Sequence, residues 1–248
     1  MTTVREPAVA GTFYPNDAAT LSALISTYLE GDAGLECPKA IIAPHAGYIY
    51  SGAIAGEAYR KLGGAHDRIK RVVLLGPSHR VAFKGMAVPS STSFRTPLGD
   101  IPIDSECIQQ IVGDASVGFL DEAHREEHSL EVHLPFLQHL LDDFTLVPIV
   151  VGDASKEAVA TVLEKLWGGD ETLIVISSDL SHFEAYGTAN SIDANTTRKI
   201  MALDATLKGN EACGCRPVNG LLHYIKTHRM KTHRLTIETV NVKNSGDT

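Results

Sequence analysis

Short apolar runs alternate with amphipathic stretches along the whole chain. Runs rich in β-branched residues, mostly closed by Gly, Pro or Ser, predict strands at Ala40–Ala43, Arg71–Leu75, Gly85–Val88, Thr145–Val151, Thr172–Ser177 and Leu235–Val240. Apolar or aromatic residues three and four apart, as in Leu21, Leu24, Ile25, Tyr28 and Leu29, predict helices. These fall at Ala18–Leu29, Gly52–Leu62, Ser105–Val112, Leu130–Leu141, Lys156–Leu166, Ala189–Leu203 and Asn219–Thr227. Alternation of the two element types argues for an α/β fold: a central, mostly parallel or mixed sheet with helices on both faces. No internal repeat and no Pro/Gly-rich linker interrupts it, so residues 1–248 read as a single domain. Gly99-Asp100, between Phe94–Pro97 and Ile101–Ile103, reads as a turn or short hairpin and a candidate lid. Pro135 has no N–H to donate to the carbonyl of Glu131, so the Leu130–Leu141 helix should kink or restart there.

Composition narrows the classes. Twenty-two Lys and Arg face 30 Asp and Glu, a formal net charge of −8, which argues against nucleic acid as the main partner. No run approaches the roughly 18 apolar residues needed to cross a bilayer, so no membrane role is expected. The start of the chain, with charges of both signs and Pro7 before any apolar run, does not resemble a signal peptide. Four cysteines form no regular framework, and a reducing cytoplasm is the expected setting. The Asn195-Thr196-Thr197 sequon is then a coincidence. Eleven histidines are the unusual feature, and several sit where chemistry is expected.

Three polar clusters directly follow predicted strands: Pro44–Tyr48, Gly76–His79 and Ser177–His182. Strands that run parallel end on one edge, so His45, His79, Asp179 and His182 should meet in one crevice. Glu126–Pro135 adds His128 and His133. Five residues separate these two, about 140° around a helix, so they are not the His-Glu-x-x-His zinc pair. Glu126 and Glu127 suit the positive end of a helix, while His128, beside the expected break, is assigned to the site. Cys213-Gly214-Cys215-Arg216-Pro217 opens the last predicted helix, where a thiol tends to have a lowered pKa and to act as ligand or nucleophile. Either sulfur could face the site, and Cys215 is the readier candidate for a small buried hydrophobe. Tyr48 is either a pocket wall or a core residue. The basic residues Lys226, His228, Arg229, Lys231, His233 and Arg234 read as a solvated connection.

Five ordered motifs, Arg5–Pro15, Ala43–Tyr48, Gly76–His79, Glu127–Pro135 and Ser177–His182, resemble those of the Memo family, whose prokaryotic members are also called AmmeMemoRadiSam system protein B. That family is similar in fold to the class III, LigB-type extradiol dioxygenases. The resemblance implies a metal held by His45, His79 and Cys213, with the cysteine in the place of a carboxylate. It also implies catalytic proton handling by His182, which Asp179, three residues earlier, would orient; His128, placed by its position beside the break, joins them as a candidate catalytic residue. Fe(II) is the expected metal, with copper or Zn(II) as alternatives that a two-His, one-Cys set also suits. The implied role is iron- or copper-dependent redox chemistry on a small-molecule substrate, with a class III extradiol-type dioxygenase as one alternative. The alternative is a non-catalytic pocket that binds a ligand or a partner, a radical SAM protein among the partners the family name suggests. A hydrolase using Ser178 or Ser181 with His182 and Asp179 is disfavoured, because Gly76-Pro-Ser-His-Arg80 lacks the closing glycine of a nucleophile elbow.

Overall fold

β-Branched runs that are buried on both sides form strands, and the strands set the frame of the molecule. The computed structural model describes residues 3–33, 37–114, 116–229, 236–244 and 246–247. In chain order the elements begin with β1 (Val4–Arg5), α1 (Ala18–Tyr28), β2 (Ala40–Ala43), α2 (Tyr48–Arg60), β3 (Arg71–Pro77) and β4 (Met86–Val88). Next come β5 (Ser93–Thr96), β6 (Gly99–Pro102), α3 (Ser105–Ile111), β7 (Val117–Phe119) and α4 (Asp121–Arg125). A 3-10 turn (Glu131–His133) leads into α5 (Leu134–Leu140), followed by β8 (Thr145–Val151), α6 (Lys156–Leu166), β9 (Thr172–Ser177), α7 (Tyr186–Met201) and α8 (Cys215–Tyr224).

The main sheet has the order β2-β9-β3-β8-β4-β7, parallel throughout except between β4 and β8. Strands β3 and β8 are buried at every position but the first, and β9 at every position, so helices must cover both faces. Helices α1, α2 and α5 pack on one another in one layer, and α3, α6 and α8 in the other. Tyr59 of α2 stacks on Phe136 of α5 at 5.1 Å between ring centroids, at the heart of the first layer. Among the described residues no helix is long and apolar enough to cross a membrane, and the four cysteines are free thiols.

Several sequence expectations shift. The second sheet, β1-β5-β6, contains the expected hairpin, but its Thr96↔Gly99 pairing puts the turn at Pro97-Leu98, not at Gly99-Asp100. The hairpin is a wall rather than a lid: Phe94 is buried beneath the Arg5 guanidinium, and Thr96 and Gly99 are hydrogen-bonded to Gln138 of α5. Pro135 lies in the first turn of α5, where its missing N–H costs nothing, and the helix does restart there. Helices α2, α7 and α8 each begin three or four residues earlier than expected. A π-helical turn (Ile225–Arg229) follows α8. Residues 236–240 form no strand, and Leu235, like Lys231, His233 and Arg234, lies outside the described residues.

Candidate metal centre

Strands β2, β9 and β3 are immediate neighbours in the sheet, so their C-terminal ends open side by side. Each carries a polar residue two positions past its end: His45 after β2, Asp179 after β9 and His79 after β3. One ring nitrogen from each of His45 and His79 and the sulfur of Cys213 lie within 4.8 Å of one another. The His45 and His79 rings meet edge to face at 5.1 Å, and His45 Nε2 is 3.3 Å from Cys213 Sγ. His79 with Glu127 and His128, and Asp179 with His182 and Cys213, form two further close groups around the same pocket.

The hydrogen bonds made behind the imidazole rings decide which atoms face inward. Glu127 Oε1 accepts from His79 Nδ1 (2.8 Å) and from the Ser129 N–H (3.0 Å), and Oε2 accepts from the His79 N–H (2.5 Å). Burial pushes the Glu127 carboxyl up, but these hydrogen bonds outweigh it and hold the pKa at about 2. An ionised Glu127 makes Nδ1 of His79 the donor, which leaves Nε2 for the pocket. His45 is almost wholly buried, and burial lowers its pKa to about 4, so the ring is neutral near pH 7. Its Nδ1 contacts Ser177 Oγ at 2.6 Å, and its backbone N–H donates to Asp179 Oδ1 at 2.7 Å.

Asp179 is half-buried, and that partial burial raises its carboxyl, yet His45, His182 and the His45 N–H together hold it well below the usual carboxylate range. His182 is 41% exposed, and its Nε2 stands 3.8 Å from Asp179 Oδ2. That is an ion-pair distance rather than the tight hydrogen bond the three-residue spacing suggests, and the carboxylate raises the pKa of His182. His128 stacks on His79 at 4.5 Å and lies 4.8 Å from the ring of Phe13. Its Nδ1 is buried and has no hydrogen bond among the described residues; it lies 3.5 Å from Glu127 Oε1.

Cys213, not Cys215, faces the site. Its sulfur accepts from the Asp179 N–H at 3.3 Å. Cys215 packs its side chain against the core. Cys213 precedes the α8 cap at Gly214, so it lacks the helix N-terminus that would lower its pKa. Burial, with the charge of Asp179, instead pushes its thiol up to about 12. A thiolate here therefore needs a cation beside it. Gly214 permits the approach: a Cβ there would lie 2.4 Å from the carbonyl oxygen of Ser177 and 2.8 Å from Ser178 Oγ. Ser178 Oγ donates to the Asp179 carbonyl and accepts from the Gly214 N–H, so it makes no nucleophile–base pair with His182. Tyr48 is a core residue whose hydroxyl donates to the Val132 carbonyl.

The sequence reading missed three elements of this arrangement: the Glu127–His79 pair, the buried hydroxyl of Ser177, and the cage around Glu131. In that cage Glu131, fully buried, pairs with Arg5 and accepts from the N–H groups of Ala8 (2.8 Å) and Val9 (3.0 Å) and from the Tyr14 hydroxyl (2.5 Å). Arg5 also donates to the carbonyls of His124 (3.0 Å) and Glu127 (2.7 Å). The Arg5–Pro15 motif thus clamps the loop that carries Glu127, His128 and Ser129. The signal was present in the sequence as a charged residue in each of two motifs.

An α/β sheet with a two-histidine, one-cysteine pocket at its strand ends is the class these features define. The family model described as Memo-like protein matches residues 5–248, and the chain belongs to that family. A MEMO1 family protein of Aquifex aeolicus is 42% identical over 185 residues, covering 73% of this chain and 68% of its own. One from Methanothermobacter thermautotrophicus is 35% identical over 221 residues, covering 82% and 78%. One from Thermoplasma volcanium is 32% identical over 255 residues, covering 98% and 92%.

Proposed function

We propose that this Memo-like protein binds a single transition-metal ion through His45 Nε2, His79 Nε2 and Cys213 Sγ and uses it in redox chemistry on a small molecule. The observation that carries this reading is the commitment of the two Nδ1 atoms, one to Ser177 and the other to Glu127, which leaves two imidazole lone pairs beside one sulfur. Outer partners of this kind fix ring orientation in metal sites. Distance supports the same reading. Nitrogen and sulfur ligands at about 2.0 and 2.3 Å from a tetrahedral ion stand about 3.5 Å apart, against 3.3 Å between His45 Nε2 and Cys213 Sγ.

Fe(II) is the metal we propose, with copper and Zn(II) as alternatives: iron or copper supplies one-electron chemistry, zinc only Lewis acidity. Asp179 and His182 hold and move a proton at the mouth of the pocket, and His128 forms its wall against His79. One observation favours a second reading, ligand binding with little turnover. Both oxygens of Glu127 are already engaged, so a thiolate completes the set where dioxygen-activating iron sites use a carboxylate.

Metal analysis of protein purified without chelators or a histidine tag tests the proposal. Wild type should retain one ion per chain, and His79→Ala and Cys213→Ser should weaken binding by about tenfold or more. His182→Ala should keep the ion and lower O₂ consumption relative to wild type loaded with Fe(II). No tight ion in the wild type would sink the metal reading. Loss of metal in His182→Ala would reverse the roles assigned to His182 and Cys213. O₂ uptake no faster than that of free iron would favour the binding role.

A further inference from the structure

Behind His45, past the Ser177 contact that the metal reading uses, runs a chain of buried polar groups that it does not. The Tyr59 hydroxyl contacts His133 Nδ1 at 2.9 Å, and His133 Nε2 contacts Ser177 Oγ at 2.8 Å. Ser177 Oγ lies 2.6 Å from the Ser129 carbonyl and 2.6 Å from His45 Nδ1. Tyr59, Ser129, His133, Ser177 and His45 are all buried, so none can exchange these partners for bulk water.

Only one assignment of protons makes every one of these contacts a hydrogen bond. The Ser129 carbonyl can only accept, so Ser177 must spend its single proton there. Ser177 then has only lone pairs for its two histidine neighbours, and both must donate to it. Burial keeps His133 neutral, with its pKa lowered to about 3, so a proton on Nε2 leaves Nδ1 to accept from Tyr59. His45 in turn must carry its proton on Nδ1, and its Nε2 faces Cys213 as a bare lone pair. The competing tautomer would place N–H against the sulfur and leave His45 without a ligand atom.

We propose that Ser177 is a positioning residue that sets the tautomer of His45, with His133 and Tyr59 holding the serine hydroxyl in its orientation. The consequence for metal affinity rests on the metal reading above, whereas the tautomer itself does not. Imidazole ¹⁵N spectra of metal-free wild type should show His45 protonated on Nδ1 and bare on Nε2. In Ser177→Ala, His45 loses its acceptor and should move its proton to Nε2, and Zn(II) affinity should fall by about tenfold or more. Ser177→Thr, which keeps the hydroxyl, should restore both. A wild-type His45 protonated on Nε2 would overturn the proposal, even if the variants fail to fold. So would a folded Ser177→Ala protein with unchanged tautomer and unchanged Zn(II) affinity. A wild type that binds no Zn(II) would sink the metal reading alone, since the tautomer is read without metal.

Discussion

Glu127 shows at the residue scale how one side chain can organise a site without touching its centre. Its two oxygens accept three hydrogen bonds, two of them from the side chain and backbone of His79. Glu127→Gln keeps the shape but replaces one acceptor oxygen with a donor, so at least one of those bonds is lost. The expected result is a stability loss of about 1–3 kcal/mol in urea unfolding and Zn(II) binding weaker by about tenfold or more. Unchanged affinity in the variant would show that His79 needs no fixed tautomer. This residue was not legible in the sequence beyond its charge. Its partner stands 48 positions away, and a carboxylate near a helix start has a sufficient local explanation. His45, His79 and Asp179, by contrast, were legible because each simply follows a β-branched run.

At the element scale, the helices whose starts were read correctly and those that were not differ in one respect. Helices α1, α3 and α6 are capped by the side chains of Asp17, Asp104 and Ser155, which accept backbone N–H groups in the first turn. Helices α2, α7 and α8 follow Gly47, Ala185 and Gly214 and have no side-chain cap, so no capping residue marked their starts. The short strands β1 and β7 were missed for a related reason: two or three residues are too few to display a period. Gly214 has a stronger constraint than its cap position. In Gly214→Ala the new methyl meets the Ser177 carbonyl and the Ser178 hydroxyl, so Cys213 must move away from His45. A loss of about 1–3 kcal/mol in stability together with weaker Zn(II) binding is expected from urea unfolding and titration. Retention of both would mean that the strand end yields to the extra carbon.

On the scale of the whole molecule, the buried histidines couple the fold to pH. Burial above all pushes His45 and His124 down to about 4 and His133 to about 3, against about 6.5 in an unfolded chain. Below pH 6.5 the unfolded state therefore takes up protons that the folded state refuses, and stability falls until those lower values are reached. One such histidine costs about 2 kcal/mol by pH 5. Glu127, held at about 2, works in the same direction only once the pH passes below the ordinary carboxylate range. His182, raised by Asp179, works in the opposite direction, but its exposure to solvent screens the effect. Urea midpoints of metal-free protein should therefore drop clearly between pH 7 and pH 5, and equal midpoints would contradict this account. The clamp of Arg5 on Glu131 spans 126 positions and the contact of His45 with Cys213 spans 168. Such long closures are slow steps in folding. On the ribosome, His45 and His79 emerge long before Cys213, so the pocket has no sulfur until most of both helical layers has been synthesised. The thiol is thus enclosed late, as α8 docks, and any ligand that requires all three groups binds to a fold that is already assembled.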